Sequence, residues 1–302
     1  MRVTLIHNPG AGKQGKNDIK ALKALLAEAG HAVRYQDAKA DGWKKALDWP
    51  ADLIAVAGGD GTVGRVTRRM VGRGVPVGLL PAGTANNIAR TLGIVERSFE
   101  ELVRGWQDGR RVKLDVGVAK GPWGERYFVE GLGVGLFAKV LASPAAEKTD
   151  VAGALRRMRE RAASCEPMEL VALLDGEDIS GRYVMLEAVN LRYVGPNLHL
   201  APDSQAGDGT FEVVAVREAE RERLLEYLDR WQDNRERLAV LPSRRGRRLQ
   251  IEWTGFELHI DDKLKPKKNP KPSEIAGPVE ARAGEAAVEF LLPASVRNGG
   301  RA

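Results

Sequence analysis

Over the first hundred residues, short apolar runs alternate with glycine-containing polar loops, and beyond that with turns. Val3-Thr4-Leu5-Ile6-His7 predicts a strand, followed by the loop Asn8-Pro9-Gly10-Ala11-Gly12-Lys13. Ile19, Leu22, Leu25, Leu26 and Ala29 then recur at helical spacing, with Gly30 as the stop. Leu53-Ile54-Ala55-Val56-Ala57 is an uninterrupted apolar run, as expected of a parallel strand covered on both faces, and it leads into Gly58-Gly59-Asp60-Gly61-Thr62. Val75 to Leu80 leads into Pro81-Ala82-Gly83-Thr84-Ala85-Asn86-Asn87, after which Ile88, Ala89 and Leu92 share a helical face. Phe99, Leu102, Val103 and Trp106 predict one more helix. Three strand–glycine loop–helix units predict a doubly wound, Rossmann-like α/β domain whose ligands bind at the carboxyl ends of its strands.

Near Leu114 the pattern changes. Strands are predicted over Lys113 to Ala119, Arg126 to Glu130, Met168 to Leu174, Gly181 to Asn190, Thr210 to Val216, Arg248 to Trp253 and Phe256 to Ile260. Turn signals such as Asp175-Gly176 and Gly207-Asp208-Gly209 separate most of them, which predicts a β-sandwich-like second domain. Helical inserts are expected around Val151–Ser164 and around Ala219–Leu238, where Leu224, Leu225, Leu228 and Trp231 share a face. A final strand over Ala287 to Leu292 is expected to return to the first domain. The expected division is therefore 1–113, 114–284 and a tail of 285–302, with an active site in the cleft between the domains.

The chemistry concentrates in the second loop. Its glycines let the backbone turn sharply and approach a ligand, and Thr62 is placed to cap a following helix whose N–H groups favour an anion. Asp60 beside a phosphate site would be repulsive unless a cation bridges the two, so the motif suggests a nucleotide with Mg2+. An ordinary tight turn with Asp60 as a helix cap is the competing structural reading.

Asn8-Pro9 with Gly12-Lys13, Gly58-Gly59-Asp60-Gly61-Thr62, and Gly83-Thr84-Ala85-Asn86-Asn87-Ile88-Ala89-Arg90 resemble, in order and spacing, the nucleotide-site motifs of the diacylglycerol-kinase-like lipid kinases. That family includes bacterial diacylglycerol kinases and sphingosine and ceramide kinases. Weaker likeness continues in Glu130-Gly131-Leu132-Gly133-Val134-Gly135, in Asn197 to Asp203, and in Asp208-Gly209-Thr210-Phe211-Glu212-Val213. The Gly-Gly-Asp-Gly element is shared with NAD kinases and, more distantly, phosphofructokinases, whereas the Gly-Thr-Ala-Asn-Asn loop favours lipid kinases. The resemblance implies ATP-dependent phosphorylation of a lipid hydroxyl such as that of diacylglycerol. Asn8, Gly12, Lys13, Gly58, Gly59, Gly61, Thr62, Gly83, Thr84 and Asn86 would hold the nucleotide. Asp60 would reach Mg2+ or polarise the acceptor hydroxyl, and Asp208 would help to organise the magnesium network.

Three positions depart from the family pattern. Gly64-Arg65 replaces an expected Asn-Glu, Asn87 replaces an Asp, and Lys263 stands where a late Asp-Gly-Glu carries the proposed general base. A lysine ammonium does not abstract a proton at neutral pH, so Asp261, Asp262 or Asp60 must serve, or turnover is lost. The alternatives are accordingly a pseudokinase that binds nucleotide or lipid, and a soluble-metabolite kinase related to NAD kinases.

Composition adds limits. The 302 residues contain no apolar run of eighteen, begin with a strand rather than a signal peptide, and hold one cysteine, Cys165, so a cytoplasmic chain is expected. His7, His31, His199 and His259 show no metal-ligand spacing. The net charge of +6 is unevenly spread: nine basic residues against four acids lie between Arg244 and Lys271, and Arg156, Arg157, Arg159 and Arg161 cluster on a predicted helix. The first of these could dock on an anionic membrane surface, as a peripheral lipid enzyme requires. Nucleic acid is not an expected partner, because no aromatic residue interleaves with the lysines from Lys263 to Lys271. A homodimer is compatible with the sequence.

Overall fold

The computed structural model describes residues 1–12, 18–143, 150–233, 240–267 and 270–296. They divide into two compact units. The first holds Met1–Leu114, Gln205–Gly207 and the tail from Ala286, and the second holds Asp115–Ser204 and Asp208–Glu285.

In the first unit, β1 (Arg2–His7), α1 (Ile19–Glu28), β2 (Ala32–Asp37), β3 (Leu53–Gly58), α2 (Asp60–Met70), β4 (Val77–Pro81), α3 (Asn87–Thr91) and α4 (Phe99–Gly105) follow one another. The strands are parallel in the order β4-β3-β1-β2, so the expected doubly wound α/β domain is found. All six residues of β3 are buried because helices cover both faces, which is why its sequence shows no alternation. The strand β2 was not predicted: its residues are half-buried or exposed, leaving no uninterrupted apolar run. Trp106 is seated against Gly78 of β4, where a Cβ would come within 2.8 Å of the indole. Burying that ring removes about 200 Å2 of surface, on the order of 5 kcal/mol, far more than a glycine costs in a strand.

The second unit begins within β5 (Arg110–Gly121) and continues with β6 (Gly124–Phe128), β7 (Gly131–Gly135), α5 (Leu136–Ala142), α6 (Val151–Ser164), β8 (Met168–Leu170), β9 (Ala172–Leu174), β10 (Glu177–Asp178), β11 (Gly181–Val189) and β12 (Phe211–Arg217). It ends with α7 (Arg221–Asp233), β13 (Ser243–Gly246), β14 (Arg248–Trp253), β15 (Leu258–Ile260), β16 (Lys263–Lys265) and the first part of β17 (Gly277–Leu292). One sheet runs β13-β12-β11-β7-β15-β16, with β8 also on β11; antiparallel β10-β9-β14-β17 belongs to the other. Leu132, Leu186, Phe211 and Leu258 from the first pack with Leu174, Leu249, Trp253 and Val279 from the second, which makes the C-terminal part a β-sandwich. Met168 to Leu174, expected as one strand, splits at exposed Val171, so that β8 joins one sheet and β9 the other. The last strand is longer than expected, and its end pairs in parallel with β4 through Phe290 and Val77. The part of the second helical insert at 234–239 lies outside the described residues.

Candidate functional site

The parallel order puts the carboxyl ends of β1, β2, β3 and β4 along one edge, and their loops are bonded to each other. Asn8, after β1, donates its backbone N–H to Ala57 O at 2.8 Å and its Nδ2 to Thr62 Oγ1 at 3.0 Å. Its own Oδ1 accepts the Gly10 N–H at 3.1 Å. Gly12 has φ +81°, and a Cβ there would lie 2.4 Å from Ala82 O. Gly59 and Gly83 face each other backbone to backbone; a Cβ on Gly83 would meet Gly59 Cα at 2.5 Å. Asn86, at φ +52°, closes the third loop on itself by accepting Gly83 N–H at 2.8 Å and donating to Gly83 O at 2.9 Å. Gly12, Gly59 and Gly83 are therefore fixed by the packing of one loop on another. Gly61 differs: it is exposed, and nothing lies within 4 Å of a Cβ built on it. No described residue requires that glycine.

The cap of α2 is not the one expected. Gly59 is the N-cap, Asp60 is the first helical residue, and Thr62 lies inside the first turn as acceptor for Asn8. Asp60 instead reaches across to the start of α3, where its Oδ1 accepts the Ile88 N–H at 3.1 Å. Burial pushes its carboxyl above the ordinary value, and backbone hydrogen bonds at Ile88, Asn87 and Asn86 pull against that rise. The acid thus ties the second loop to the third at the carboxyl edge of the strands. Thr84 is exposed at the tip of the third loop, and Lys13 lies outside the described residues. Sequence reasoning missed Lys39 in the loop after β2; its Nζ rests against Gly10, 2.4 Å from where a Cβ would stand.

The second unit holds the remaining candidates. Asp208 Oδ1 accepts the Thr210 N–H at 2.9 Å and its hydroxyl at 2.6 Å, and Oδ2 is 3.8 Å from an Arg245 nitrogen. Beside it, buried Asp115 accepts the Gly209 N–H at 2.9 Å. Asp115 was also missed, although an acid inside the apolar run Leu114 to Ala119 was a readable signal. Asp261, at φ +50°, turns its carboxylate inward onto the N–H groups of Val129, Glu130 and Gly131 at 2.8–3.3 Å. Asp262 is exposed and pairs with Lys263 Nζ at 2.8 Å. Of the two acids expected to act as a base, one is occupied as a turn acceptor and one faces water. Among the described residues no cluster of three or more His, Cys, Asp or Glu side chains forms a metal cage. A hard cation here would be held by one or two carboxylates together with phosphate oxygens from a substrate, an arrangement that suits Mg2+.

Residues 2–119 match the family model described as the diacylglycerol kinase catalytic domain, and residues 147–262 match the YegS C-terminal NAD kinase beta sandwich-like domain. The chain is 26% identical over 229 residues to the diacylglycerol kinase of Bacillus subtilis (strain 168), covering 72% of this chain and 74% of that one. It is 25% identical over 254 residues to a diacylglycerol kinase of Mycobacterium tuberculosis, covering 80% and 77%. A crystal structure of a diacylglycerol kinase from Bacillus anthracis str. Sterne has the same fold, with a TM-score of 0.72, 19% identity and 98% of both chains covered.

Proposed function

The chain belongs to the diacylglycerol-kinase-like lipid kinases, and from that premise we propose that it transfers the γ-phosphate of ATP, with Mg2+, to a hydroxyl of diacylglycerol or a related lipid. The observation that carries the nucleotide half of this reading is Gly61, a glycine that no described residue crowds, at the mouth of three interlocked loops. Catalysis of phosphoryl transfer is mostly positioning and charge neutralisation. Asn8, Gly12, Gly58, Gly59, Gly61, Thr62, Gly83, Thr84 and Asn86 form or support the cradle, and Lys13 and Lys39 supply cations to it. When bound, Mg2+ would neutralise phosphate charge, with Asp60 as its protein ligand; Asp208, in the turn braced by Asp115, would help to organise the magnesium network.

The proton of the acceptor hydroxyl goes to Asp262. Asp261 is turned inward, and Lys263 cannot take a proton, which leaves Asp262 as the available acid on that turn. A loose phosphoryl-transfer transition state needs little help in proton removal, so one exposed carboxylate is sufficient. The reading includes a cytoplasmic protein that meets its lipid at an anionic membrane surface, since an acyl-chain substrate resides there. The deciding experiment is transfer of labelled γ-phosphate from ATP, with Mg2+, into a mixed extract of diacylglycerol, sphingoid bases and ceramide. A labelled lipid supports the proposal and its mobility names the acceptor class. ATP binding without a labelled lipid would overturn it in favour of an impaired relative.

A further inference from the structure

A buried acid–base pair lies in the sandwich, next to the turn that carries Asp261 and Asp262. Glu187 on β11, Gly133 on β7 and His259 on β15 are cross-strand neighbours in register. Because Gly133 has no side chain, the other two meet across it, with His259 Nε2 2.6 Å from Glu187 Oε2. A Cβ on Gly133 would come within 1.9 Å of that same oxygen. Both side chains are almost wholly buried, at 7% and 1% exposure, and Phe137 stacks on the imidazole at 5.9 Å. Glu187 Oε1 has no hydrogen-bond partner among the described residues. Folding alone gives no reason for such a pair, since apolar residues of similar volume in its place are often neutral or stabilising.

The other ring nitrogen shows what the pair does. His259 Nδ1 is 3.0 Å from the Asp261 carbonyl oxygen, which can only accept, so Nδ1 carries the proton. Nε2 then shares a proton with Glu187, and the ring cannot flip without setting a C–H against both acceptors. Asp261 is already held by its N–H on Gly131 O at 2.8 Å and by its carboxylate on three backbone amides. Its carbonyl defines the plane of the peptide leading to Asp262, and hence the direction in which the Asp262 side chain leaves the turn.

We propose that Glu187 and His259 are positioning residues for the reaction: Glu187 fixes the imidazole, and the imidazole fixes the Asp261–Asp262 peptide so that Asp262 meets the acceptor hydroxyl. This rests on the assignment of the turn to the acceptor side. An asparagine places its amide N–H where Nδ1 was, whereas a glutamine places its own where Nε2 was. His259→Asn therefore keeps the bond to the turn and loses Glu187, and His259→Gln does the reverse.

Turnover of the full chain with ATP and diacylglycerol in vesicles, together with the melting temperature, would be measured for both variants and for Asp262→Ala. A displacement of order 1 Å can cost up to about a hundredfold in rate. The expected result is that His259→Gln loses about tenfold or more in kcat with KM for ATP unchanged, and that His259→Asn recovers most of that loss, whatever the order of their melting temperatures. Equal losses that follow melting temperature, or no loss in either, would overturn the proposal. If Asp262→Ala kept full turnover, the base assignment would fail by itself. A kcat split between the two His259 variants would then still place the pair's action on the backbone of the turn, and no split would overturn it.

Discussion

Asp60 meets a structural demand and, in the proposed reaction, a chemical one. Its side chain caps the start of α3, which is the bland role a turn aspartate usually has, and the same bonds aim it along the edge where the glycine loops meet. Burial raises its carboxyl in the folded state, so between the ordinary value and the raised one the folded protein holds a proton that the unfolded chain has released. Stability therefore falls as pH rises through that window, the opposite of a salt-bridged acid. Asp60→Asn should abolish phosphate transfer, and melting temperatures taken from pH 4 upward should show wild type losing ground to the variant; normal activity would remove Asp60 from the mechanism. Asp261 and Asp262 should separate in the same way. Asp262→Ala should lose turnover with ATP affinity retained, whereas Asp261→Ala, which strands three backbone donors, should lower the melting temperature first. Unchanged rates in both would return proton acceptance to Asp60. The motif residues were readable individually, but Asp261 and Asp262 are adjacent and look alike in sequence; only the left-handed backbone at Asp261 tells them apart.

Among the elements, legibility followed burial. The strand β3 and the helix α1 were readable because an all-apolar run and a 3.6-residue repeat are each what complete or one-sided burial leaves in a sequence. The strand β2 lies at the sheet edge and lacks that signal, and α5, only seven residues entered directly from Gly135, reads as a continuation of the apolar strand before it. The corner at Val171 was invisible for another reason: both halves alternate regularly, and what changes is the partner sheet. The glycines, by contrast, need the structure to be sorted. Gly83→Ala must push the third loop off the second, because the clash is with backbone, and should cost about 1–3 kcal/mol of stability along with ATP affinity. Gly61→Ala meets no described residue and sits in the first turn of a helix, where alanine is favoured by about 0.5–1 kcal/mol. It should leave stability equal or raised while weakening ATP binding; unfolding titrations and nucleotide affinity measured side by side would show this, and undiminished affinity would mean that the open space is not the phosphate site.

Charge belongs to the whole molecule, and here the count along the chain misleads. Of the basic residues between Arg244 and Lys271, Arg244 pairs with Glu177, Arg245 with Glu212, Arg248 with Glu280 and Lys263 with Asp262. Lys265 is buried with its ammonium over the Trp123 ring, and Lys268 lies outside the described residues. Three of the paired acids lie outside the stretch itself, which is why a sliding count sees a basic patch where the fold has built ion pairs. Arg247, Lys267 and Lys271 are exposed and enter no ion pair among the described residues. No helix among the described residues is long and apolar enough to cross a membrane. Each basic residue near an anionic surface contributes about 1 kcal/mol, screened within a Debye length. Replacing Arg247, Lys267 and Lys271 together by Ala should weaken binding to phosphatidylserine vesicles by up to about a hundredfold, and wild-type binding should weaken with added salt. Replacing the pairs as units, Arg244 with Glu177, Arg245 with Glu212 and Arg248 with Glu280, by Ala should cost less, because each pair carries no net charge. Sedimentation with vesicles at two ionic strengths separates the two sets, and equal losses would restore the whole stretch as the docking surface.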